Sequence, residues 1–468
     1  MKKGVVTTYV LVFSAIFLVL MGGLFNFILF QLRQSANKIA WYESLEIAES
    51  GIHYYNWCLN NNVEESCESE KDYFDLDGNL VGHFSLNINS EINCSQEVKQ
   101  DIESSGWTND FPETIRTIAV SYGRVSVAKY AFLINDNVWA GADREIRGLY
   151  HSNGGVRMDG ENQSLVTSAK QNWLCTDSFG CNYSSCPSGC VREGSACRCP
   201  GVFTTTSNSN SDLFQWPAPY FDFESITIDL AEIKNLTLSW PQNKYWPPST
   251  DIDSGADGYH LRFLQDGMVE VWVITNLGRT WAYDLEDGWH YDYFTINSEY
   301  LFKTINLDPA CSLIFVEDNL WIDGKVKGKV TVVSANLIYP AQETNVVLPG
   351  DIEYSALDGS DGLAVVGEQS ILISPNSPNN MELRGIFIAQ KGHFGRNHYP
   401  SNIKDKLEIY GAIVSNGRVG TKWTSGSVIV SGYRVRENYT DSDLVFNAPA
   451  FVPAITPDFQ ILDWEEVE

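Results

Sequence analysis

The first residues that could do chemistry are three aspartates in one short loop. Asp251, Asp253 and Asp257 follow one another at steps of two and four. Carboxylate oxygens on a tight loop are the ligands that Ca²⁺ takes. The EF-hand pattern is not met, because Gly255 and Ala256 stand at its fifth and sixth positions. The pattern favours a solvated acidic turn, with calcium as the weaker alternative, and it indicates no other metal or cofactor.

Other catalytic signatures are missing from the sequence. It contains no G-x-S-x-G, no H-E-x-x-H and no phosphate-binding G-x-x-x-x-G-K-[ST] motif. His393 and His398, the closest pair of histidines, lie in a glycine-rich loop and are expected to be solvated. A carbohydrate-active enzyme would need acidic and basic side chains converging on one groove, and the sequence shows no dense row of carboxylates. We therefore predict no catalytic residue and no enzymatic activity.

The cysteines are the next group with possible chemistry. Their number is ten, and six of them fall between residues 175 and 199 with irregular gaps. Zinc sites use paired short spacings that do not occur here, whereas an even number in an exported domain is typical of disulfides. The sequence does not choose among the possible pairings. The disulfide candidates are Cys58, Cys67, Cys94, Cys175, Cys181, Cys186, Cys190, Cys197, Cys199 and Cys311.

The N-terminal segment is predicted to be the helix to which the rest of the chain is attached. After a short leader, residues 1–4, the run 5–30 is uncharged and would form a helix of about 39 Å, enough to cross a hydrocarbon core of about 30 Å. A cleaved secretory signal is less favoured, because no small-x-small cleavage site follows. Lys2 and Lys3 favour a cytoplasmic N-terminus. We predict a single-pass membrane protein with its bulk outside the cytoplasm, at the cell surface.

A helical stalk is predicted to continue the membrane helix through residues 31–62. This stretch contains no proline and one glycine. Its apolar residues recur at steps of three to five, which is typical of an amphipathic helix. The stripe consists of Ala36, Ala40, Leu45, Ala48, Ile52, Tyr55 and Leu59.

The remaining sequence indicates a mainly β protein. Residues 63–137 are predicted to form a small α+β unit, with a hairpin turn at Asp77-Gly78-Asn79. Short alternating segments between Gly, Asn and Asp corners then recur through 138–440, as in the rungs of a β-solenoid or parallel β-helix. A β-sandwich is the alternative. Insertions are expected at 171–201 and 212–305, and a proline-containing extended tail at 441–468.

The net charge of the chain limits the kinds of partner that it can bind. Lys and Arg number 32 and Asp and Glu 59, which gives a formal net charge of −27. Nucleic acid would be repelled by such a chain, so we predict no nucleic-acid binding.

The N-terminal residues resemble a known family. Gly4 precedes the uncharged helix, and Ala48-Glu49-Ser50-Gly51 follows on the same predicted helix, which is similar to the start of PilX-type minor pilins of type IV pili. The resemblance implies processing between Gly4 and Val5, a helix that packs against other pilins and the pilus assembly machinery, and a location in a pilus. Tyr9 departs from major pilins, which usually carry a Glu at that position.

Three functions follow from these observations. The favoured one is a non-enzymatic minor pilin or pilus-assembly subunit of low copy number, at the fibre tip or in the initiating complex, with an outward-facing head. The second is a membrane-anchored adhesin with a surface ligand that never enters a fibre. The third, and least favoured, is a carbohydrate-active β-helix enzyme.

Overall fold

The computed structural model describes residues 3–61, 67–94, 96–224, 228–239, 244–307, 311–426, 428–456 and 458–467. Met1 and Lys2 in the leader and residue 62 at the end of the predicted stalk lie outside the described residues. The chain forms two compact units. Unit 1 comprises Met1–Glu91, Lys99–Gly123 and Asp458–Glu468, and unit 2 comprises Ile92–Val98 and Arg124–Pro457.

Unit 1 is built from one long helix and a five-stranded sheet. Helix α1 covers Lys3–Asn60. The strands are β1 (Glu70–Phe74), β2 (Leu80–Asn93), β3 (Gln96–Thr108), β4 (Arg116–Gly123) and β33 (Gln460–Val467), in the order β1-β2-β3-β4-β33. The hairpin predicted around Asp77-Gly78-Asn79 is confirmed, because β1 and β2 pair antiparallel across it. The last strand of the chain thus completes the sheet beside β4, antiparallel to it.

The N-terminal half of α1 is apolar and has no protein around it. Every residue from 6 to 35 is exposed, and Val19, for example, keeps 75% of its surface accessible. Among the described helices, α1 is the one long and apolar enough to cross a membrane, judged by length and composition. An apolar surface of this size needs a lipid or protein environment.

The C-terminal half of α1 packs against the sheet of unit 1. Ala40, Ala48, Ile52, Tyr55 and Leu59 of the predicted stripe are buried, and Ala36 and Leu45 are half-buried. The amphipathic stripe is therefore confirmed, and it faces the protein's own sheet. The core residues contributed by the sheet and the tail are Phe84, Leu86, Ile102, Ile118, Val120, Tyr122 and Phe459.

Unit 2 contains the other strands and two short helices, α2 (Leu230–Ser239) and α3 (Ser442–Phe446). The strands are β5 (Tyr130–Ile134), β6 (Val138–Ala140), β7 (Arg144–Arg147), β8 (Leu149–Ser152), β9 (Val156–Met158), β10 (Glu161–Asn162), β11 (Val166–Ser168), β12 (Asn172–Cys175), β13 (Val191–Glu193), β14 (Ala196–Pro200), β15 (Val202–Phe203), β16 (Phe214–Gln215), β17 (Tyr245–Trp246), β18 (Gly258–Phe263), β19 (Met268–Tyr283), β20 (Trp289–Asn306), β21 (Leu313–Val316), β22 (Leu320–Val326), β23 (Lys329–Ser334), β24 (Val346–Leu348), β25 (Ile352–Tyr354), β26 (Gly362–Gly367), β27 (Ile371–Ile373), β28 (Asn380–Ala389), β29 (Phe394–Gly395), β30 (Ile403–Ser415), β31 (Lys422–Ser425) and β32 (Val428–Tyr439).

Three parallel ladders build the largest sheet of unit 2, and a separate parallel ladder runs β6-β9-β15. Ladder A runs β17-β21-β23-β26-β28-β30-β5-β8-β11-β16. Ladder B runs β18-β22-β25-β28-β30-β32-β7-β10. Ladder C is the shorter β22-β24-β27-β29. Inward-facing side chains from these ladders form one apolar core that includes Phe132, Leu261, Ile322 and Phe387.

Glycines form the corners where one strand serves two ladders. β28 and β30 each contribute to ladders A and B, and they bend at Gly385 and Gly411, which are in register. Both have positive φ, +145° and +133°. A Cβ on Gly411 would lie 2.0 Å from the carbonyl oxygen of Gly385. Only glycine fits this corner without moving the backbone.

The order of strands in the ladders differs from their order in the chain. From residue 124 onward, the first strand is β5, which lies in the middle of ladder A, and the following strands continue to β16 at one end of the ladder. The chain then crosses to the opposite end of the ladder, where β17 lies. From there the strands continue back to β30, which pairs with β5. An asparagine stack crosses this junction: Asn153 Nδ2 donates to Asn135 Oδ1 at 2.8 Å, and Asn135 Nδ2 to Asn416 Oδ1 at 2.8 Å.

The connection from β16 back to β17 covers the outer surface of ladder A. Asn153 exchanges hydrogen bonds with the backbone of Phe221 at one end, and Gln390 Nε2 donates to the carbonyl of Ile228 further along. Ile233 of α2 is buried in a second apolar cluster with outward-facing residues of ladder A such as Val333. Helix α2 begins directly after Asp229, whose Oδ1 caps it by accepting from two backbone N–H groups.

The first and last segments of unit 2 are tied to each other. The N–H of Ser126 donates to the carbonyl of Val445 at 2.9 Å, and that of Val127 donates to Pro453 at 2.9 Å. The N–H of Ile455 donates back to Val125 at 2.8 Å. These bonds tie together the two ends of the range Arg124–Pro457 in unit 2.

Candidate functional site

The candidate processing residues lie at the start of α1. Gly4 and Val5 are within its first turn, which begins at Lys3. Tyr9, which stands where major pilins carry a Glu, is 61% exposed. The helix continues without interruption from these residues to the sheet of unit 1.

The Ala48-Glu49-Ser50-Gly51 motif lies where α1 crosses the sheet. Ala48 and Gly51 are buried, whereas Glu49 and Ser50 are half-buried. A Cβ on Gly51 would lie 2.2 Å from Oγ of Ser104 and 2.9 Å from the Phe84 ring. The two small residues therefore permit close helix–sheet packing.

Glycines on the strands complete this contact, and sequence reasoning missed them. A Cβ on Gly106 would lie 2.4 Å from the backbone N of Ala48 and 2.5 Å from the carbonyl O of Ser44. A Cβ on Gly82 would lie 2.2 Å from the carbonyl O of Trp107 and 2.7 Å from Cδ1 of Ile47. Ala40 and Ala48 are both buried within unit 1.

Polar contacts fix the same crossing. Ser44 Oγ donates to the carbonyl of Thr114 at 2.7 Å. The guanidinium of Arg116 lies 3.4 Å from the centre of the Trp41 ring and forms an ion pair with Glu466 of β33. Sheet and helix are thus joined by a cation–π contact as well as by apolar packing.

The ten cysteines form five disulfides. Cys58 pairs with Cys67 in unit 1, and Cys94 pairs with Cys311 in unit 2. The clustered six pair as Cys175–Cys181, Cys186–Cys197 and Cys190–Cys199. They surround a small sheet, β12-β14-β13, and an apolar cluster centred on Trp173. Because this loop has so little core of its own, its disulfides supply the constraint that packing cannot.

The aspartates proposed for calcium do not converge. Asp253 Oδ1 accepts from the backbone N–H of Gly255 at 3.1 Å, which is a local turn. Within the ranges that the structure describes, no three His, Cys, Asp or Glu residues are placed to hold a metal ion, and Asp251, Asp253 and Asp257 are among those searched.

The expectation that His393 and His398 are solvated is wrong. Both are half-buried, and burial lowers the pKa of each side chain below its usual value. The ring of His398 lies 5.3 Å from that of Trp289 and 5.8 Å from that of Trp423. His398 thus packs against aromatic rings, whereas Nδ1 of His393 lies 3.4 Å from Oγ of Ser370 and 3.8 Å from Oε1 of Glu286.

The expectation that the rungs carry no dense row of carboxylates is also wrong. Ladder B places five glutamates in register on successive strands, facing outward. The sequence hides this row, because its members come from distant segments that meet only at the junction of β32 with β7. They are Glu382, Glu408, Glu437, Glu145 and Glu161.

Two glutamates of the row share one lysine as their counter-charge. Lys406 Nζ lies 3.0 Å from Glu408 and 3.1 Å from Glu437. Glu437 accepts from the Tyr439 hydroxyl at 2.7 Å, and these contacts lower the pKa of its carboxyl group. A general acid needs a raised pKa, so Glu437 is not suited to that role. Glu408 and Glu437 belong to an ion-pair network with Lys406.

An aromatic surface is exposed on the hairpin β19–β20. Trp281 and Tyr291 are directly opposite, as are Tyr283 and Trp289, and the Trp281 and Trp289 rings stack with centroids 5.7 Å apart. Trp281, Trp289 and Tyr291 remain 44–50% exposed. The hairpin is held from behind by buried Asp292, which accepts from His290, Asn397 and Tyr399. The aromatic surface is thus fixed in position.

Comparison with known proteins gives one structural similarity to report. No protein-family model matches the chain, and no curated protein matches it in sequence. Among solved structures, the competence-associated pilin ComZ from Thermus thermophilus is similar at 11% sequence identity and a TM-score of 0.31, over 92% of this chain and 98% of that one. A similarity of this size carries no conclusion about fold or function.

Proposed function

We propose that this chain is a non-enzymatic, membrane-anchored minor pilin or pilus-assembly subunit. The observation that carries the proposal is α1, a continuous helix whose first half is apolar and exposed and whose second half is packed against a sheet of the same unit. The exposed half can be covered by lipid before assembly and by the helices of other subunits afterwards. Its partners are accordingly the membrane, other pilins and the assembly machinery.

The proposed position is the fibre tip or the initiating complex, in low copy number. The chain beyond residue 63 is large for a subunit repeated along a fibre, and such heads would crowd one another at every position. Tyr9 supports the same position, because a tip subunit has no subunit ahead of it whose terminal amine a Glu would need to pair with. We propose a cytoplasmic N-terminus, with processing after Gly4.

The head is proposed to be a β-solenoid. Three parallel ladders, in-register corner glycines and an asparagine stack support this architecture. Its outer position would allow it to meet other pilins or a surface.

N-terminal sequencing of the protein from sheared surface filaments tests the proposal. We expect a mature chain that begins at Val5, and immunogold labelling of the head at fibre ends. Deletion of the gene should reduce the number of pili without removing the major subunit. Dense labelling along whole fibres would contradict the tip position. Absence from filaments, together with unchanged piliation, would contradict the pilus function.

The alternative of a solitary surface adhesin is favoured by the aromatic surface of the β19–β20 hairpin. Aromatic side chains anchor many binding interfaces, and these are exposed and fixed in place. The double variant Trp281→Ala/Trp289→Ala should then reduce adhesion of cells while leaving piliation unchanged. A double change of another stacked aromatic pair, Tyr410→Ala/Tyr439→Ala at the half-buried tyrosines of β30 and β32, should leave adhesion as it is.

A further inference from the structure

A cluster of buried charges lies where the two halves of ladder B meet. Asp143 Oδ2 accepts from Nε and Nη2 of Arg436 at 3.0 and 2.8 Å. Lys422 Nζ lies 2.9 Å from the other oxygen, Oδ1. Arg144, which is the first residue of β7, completes the group. Arg144 and Arg436 are 4% and 6% exposed, so the cluster belongs to the interior of unit 2.

The cluster has more positive than negative charge. Three cationic side chains share the carboxylate of Asp143, and Arg436 and Lys422 already occupy its oxygens. Arg144 has one hydrogen bond of its own, from Nη2 to Thr421 Oγ1 at 3.3 Å. Among the described residues, Nε of Arg144 and the hydroxyl of Tyr150 are buried with no hydrogen-bond partner. Burying a cation without a counter-charge costs several kcal/mol, so the arrangement calls for a negative ligand.

The pKa shifts of two side chains agree with cations that lack a full counter-charge. Burial, followed by repulsion from Arg436, lowers the pKa of Arg144 to about 9. Burial also lowers the pKa of Lys422, although Asp143 opposes it. Both directions mean that the surroundings do not fully compensate these cations.

We propose that this cluster binds a small inorganic anion of the size of chloride, with Arg144 and Tyr150 as its donors. A water molecule could accept the same hydrogen bonds but would not balance the charge. The aromatic surroundings limit the size of the ligand: the Arg144 guanidinium lies 5.2 Å from the centre of the Phe132 ring, and that ring lies 4.9 Å from Tyr150.

The location gives the anion a structural role. Arg436 pairs with Arg144 in the register of β32 with β7, which joins the last strands of unit 2 to its first ones. Two arginines in register on neighbouring strands repel each other unless an anion lies between or beside them. The bound anion would therefore stabilise the junction that closes ladder B.

Thermal unfolding of the full-length protein in detergent tests this inference. Measurements at constant ionic strength should compare sodium chloride with sodium gluconate, whose anion is too large for the site. We expect a saturable upward shift of Tm with chloride concentration, because a ligand that binds only the folded state stabilises it. The variant Arg144→Gln should lose this shift.

A control variant and a crystallographic measurement complete the test. Arg434→Gln alters a 56%-exposed arginine on the same strand, β32, and should retain the chloride shift. Soaking crystals of the unaltered protein in bromide should place an anomalous scatterer beside Arg144, even if the Arg144 variant does not fold. Equal Tm values in chloride and gluconate, or no bromide at Arg144, would overturn the proposal.

Discussion

Gly106 is the residue on which the packing of unit 1 depends most directly. A methyl group there would meet backbone atoms of Ser44 and Ala48 at 2.5 and 2.4 Å, and backbone cannot rotate away as a side chain can. We expect Gly106→Ala to lower the free energy of unfolding by about 1–3 kcal/mol, the usual cost of overpacking. Urea denaturation measures it. Gly420→Ala is the control, since a Cβ at Gly420 has no atom within 4 Å. Equal effects of the two changes would contradict the close-packing argument.

His260 should make the stability of unit 2 depend on pH. Its Nδ1 lies 2.9 Å from Glu299 and its Nε2 lies 3.2 Å from Asp323. Burial alone would lower the pKa of His260, but these carboxylates outweigh it and raise the pKa above 6.5. Because the folded-state pKa is raised, this stabilisation is complete below pH 6.5 and is lost as pH rises through the raised value.

Urea denaturation between pH 5.5 and about 9 checks this prediction. The free energy of unfolding should fall with rising pH above 6.5, and His260→Gln should flatten that fall. His53→Gln, at an exposed histidine, should leave the slope unchanged. A slope that survives in His260→Gln would assign it to other groups.

At the scale of elements, α2 holds the returning chain against ladder A. Ile233 is 1% exposed within the second apolar cluster, whereas Leu238 of the same helix is 44% exposed. Ile233→Ala should therefore cost about 2–5 kcal/mol of unfolding free energy, as buried large-to-small changes do. Leu238→Ala should cost far less. Hydrogen exchange of α2 and ladder A would locate the loss, and similar costs for both variants would contradict the assigned packing.

Elements whose cause is local could be predicted from the sequence. The turn at Asp77-Gly78-Asn79 predicts a hairpin because its residues favour positive φ, and the hairpin is present. The apolar stripe of α1 could also be predicted, because the spacing of its residues is a local property of the sequence. The role of Gly106 could not be predicted, because the helix against which it packs is far away in sequence. The glutamate row and the Arg144 cluster were hidden because β32 meets β7 only after the chain has returned along the whole of ladder A.

At the scale of the whole molecule, the apolar half of α1 should be separable from the rest. No residue from 6 to 35 is buried, so residues 6–30 make no core contact that a chain beginning at residue 31 would lose. The shortened chain should remain soluble without detergent and unfold at the same Tm as the full chain in detergent. Sedimentation and thermal unfolding measure this. Aggregation of the shortened chain, or a lowered Tm, would mean that α1 contributes to the fold beyond anchoring.

The hydrogen bonds that join residues 125–127 to residues 445–455 have a mechanical consequence. Tension that enters unit 2 through residue 124 or residue 457 acts on these two neighbouring segments, whereas tension that enters through residues 92–98 is passed on by the Cys94–Cys311 disulfide. A stack of parallel strands held by its two opposite ends would lengthen or peel under such a load, one strand after another. When the pull is applied at the two neighbouring segments instead, the short backbone bonds between them are loaded together, before the strands beyond them.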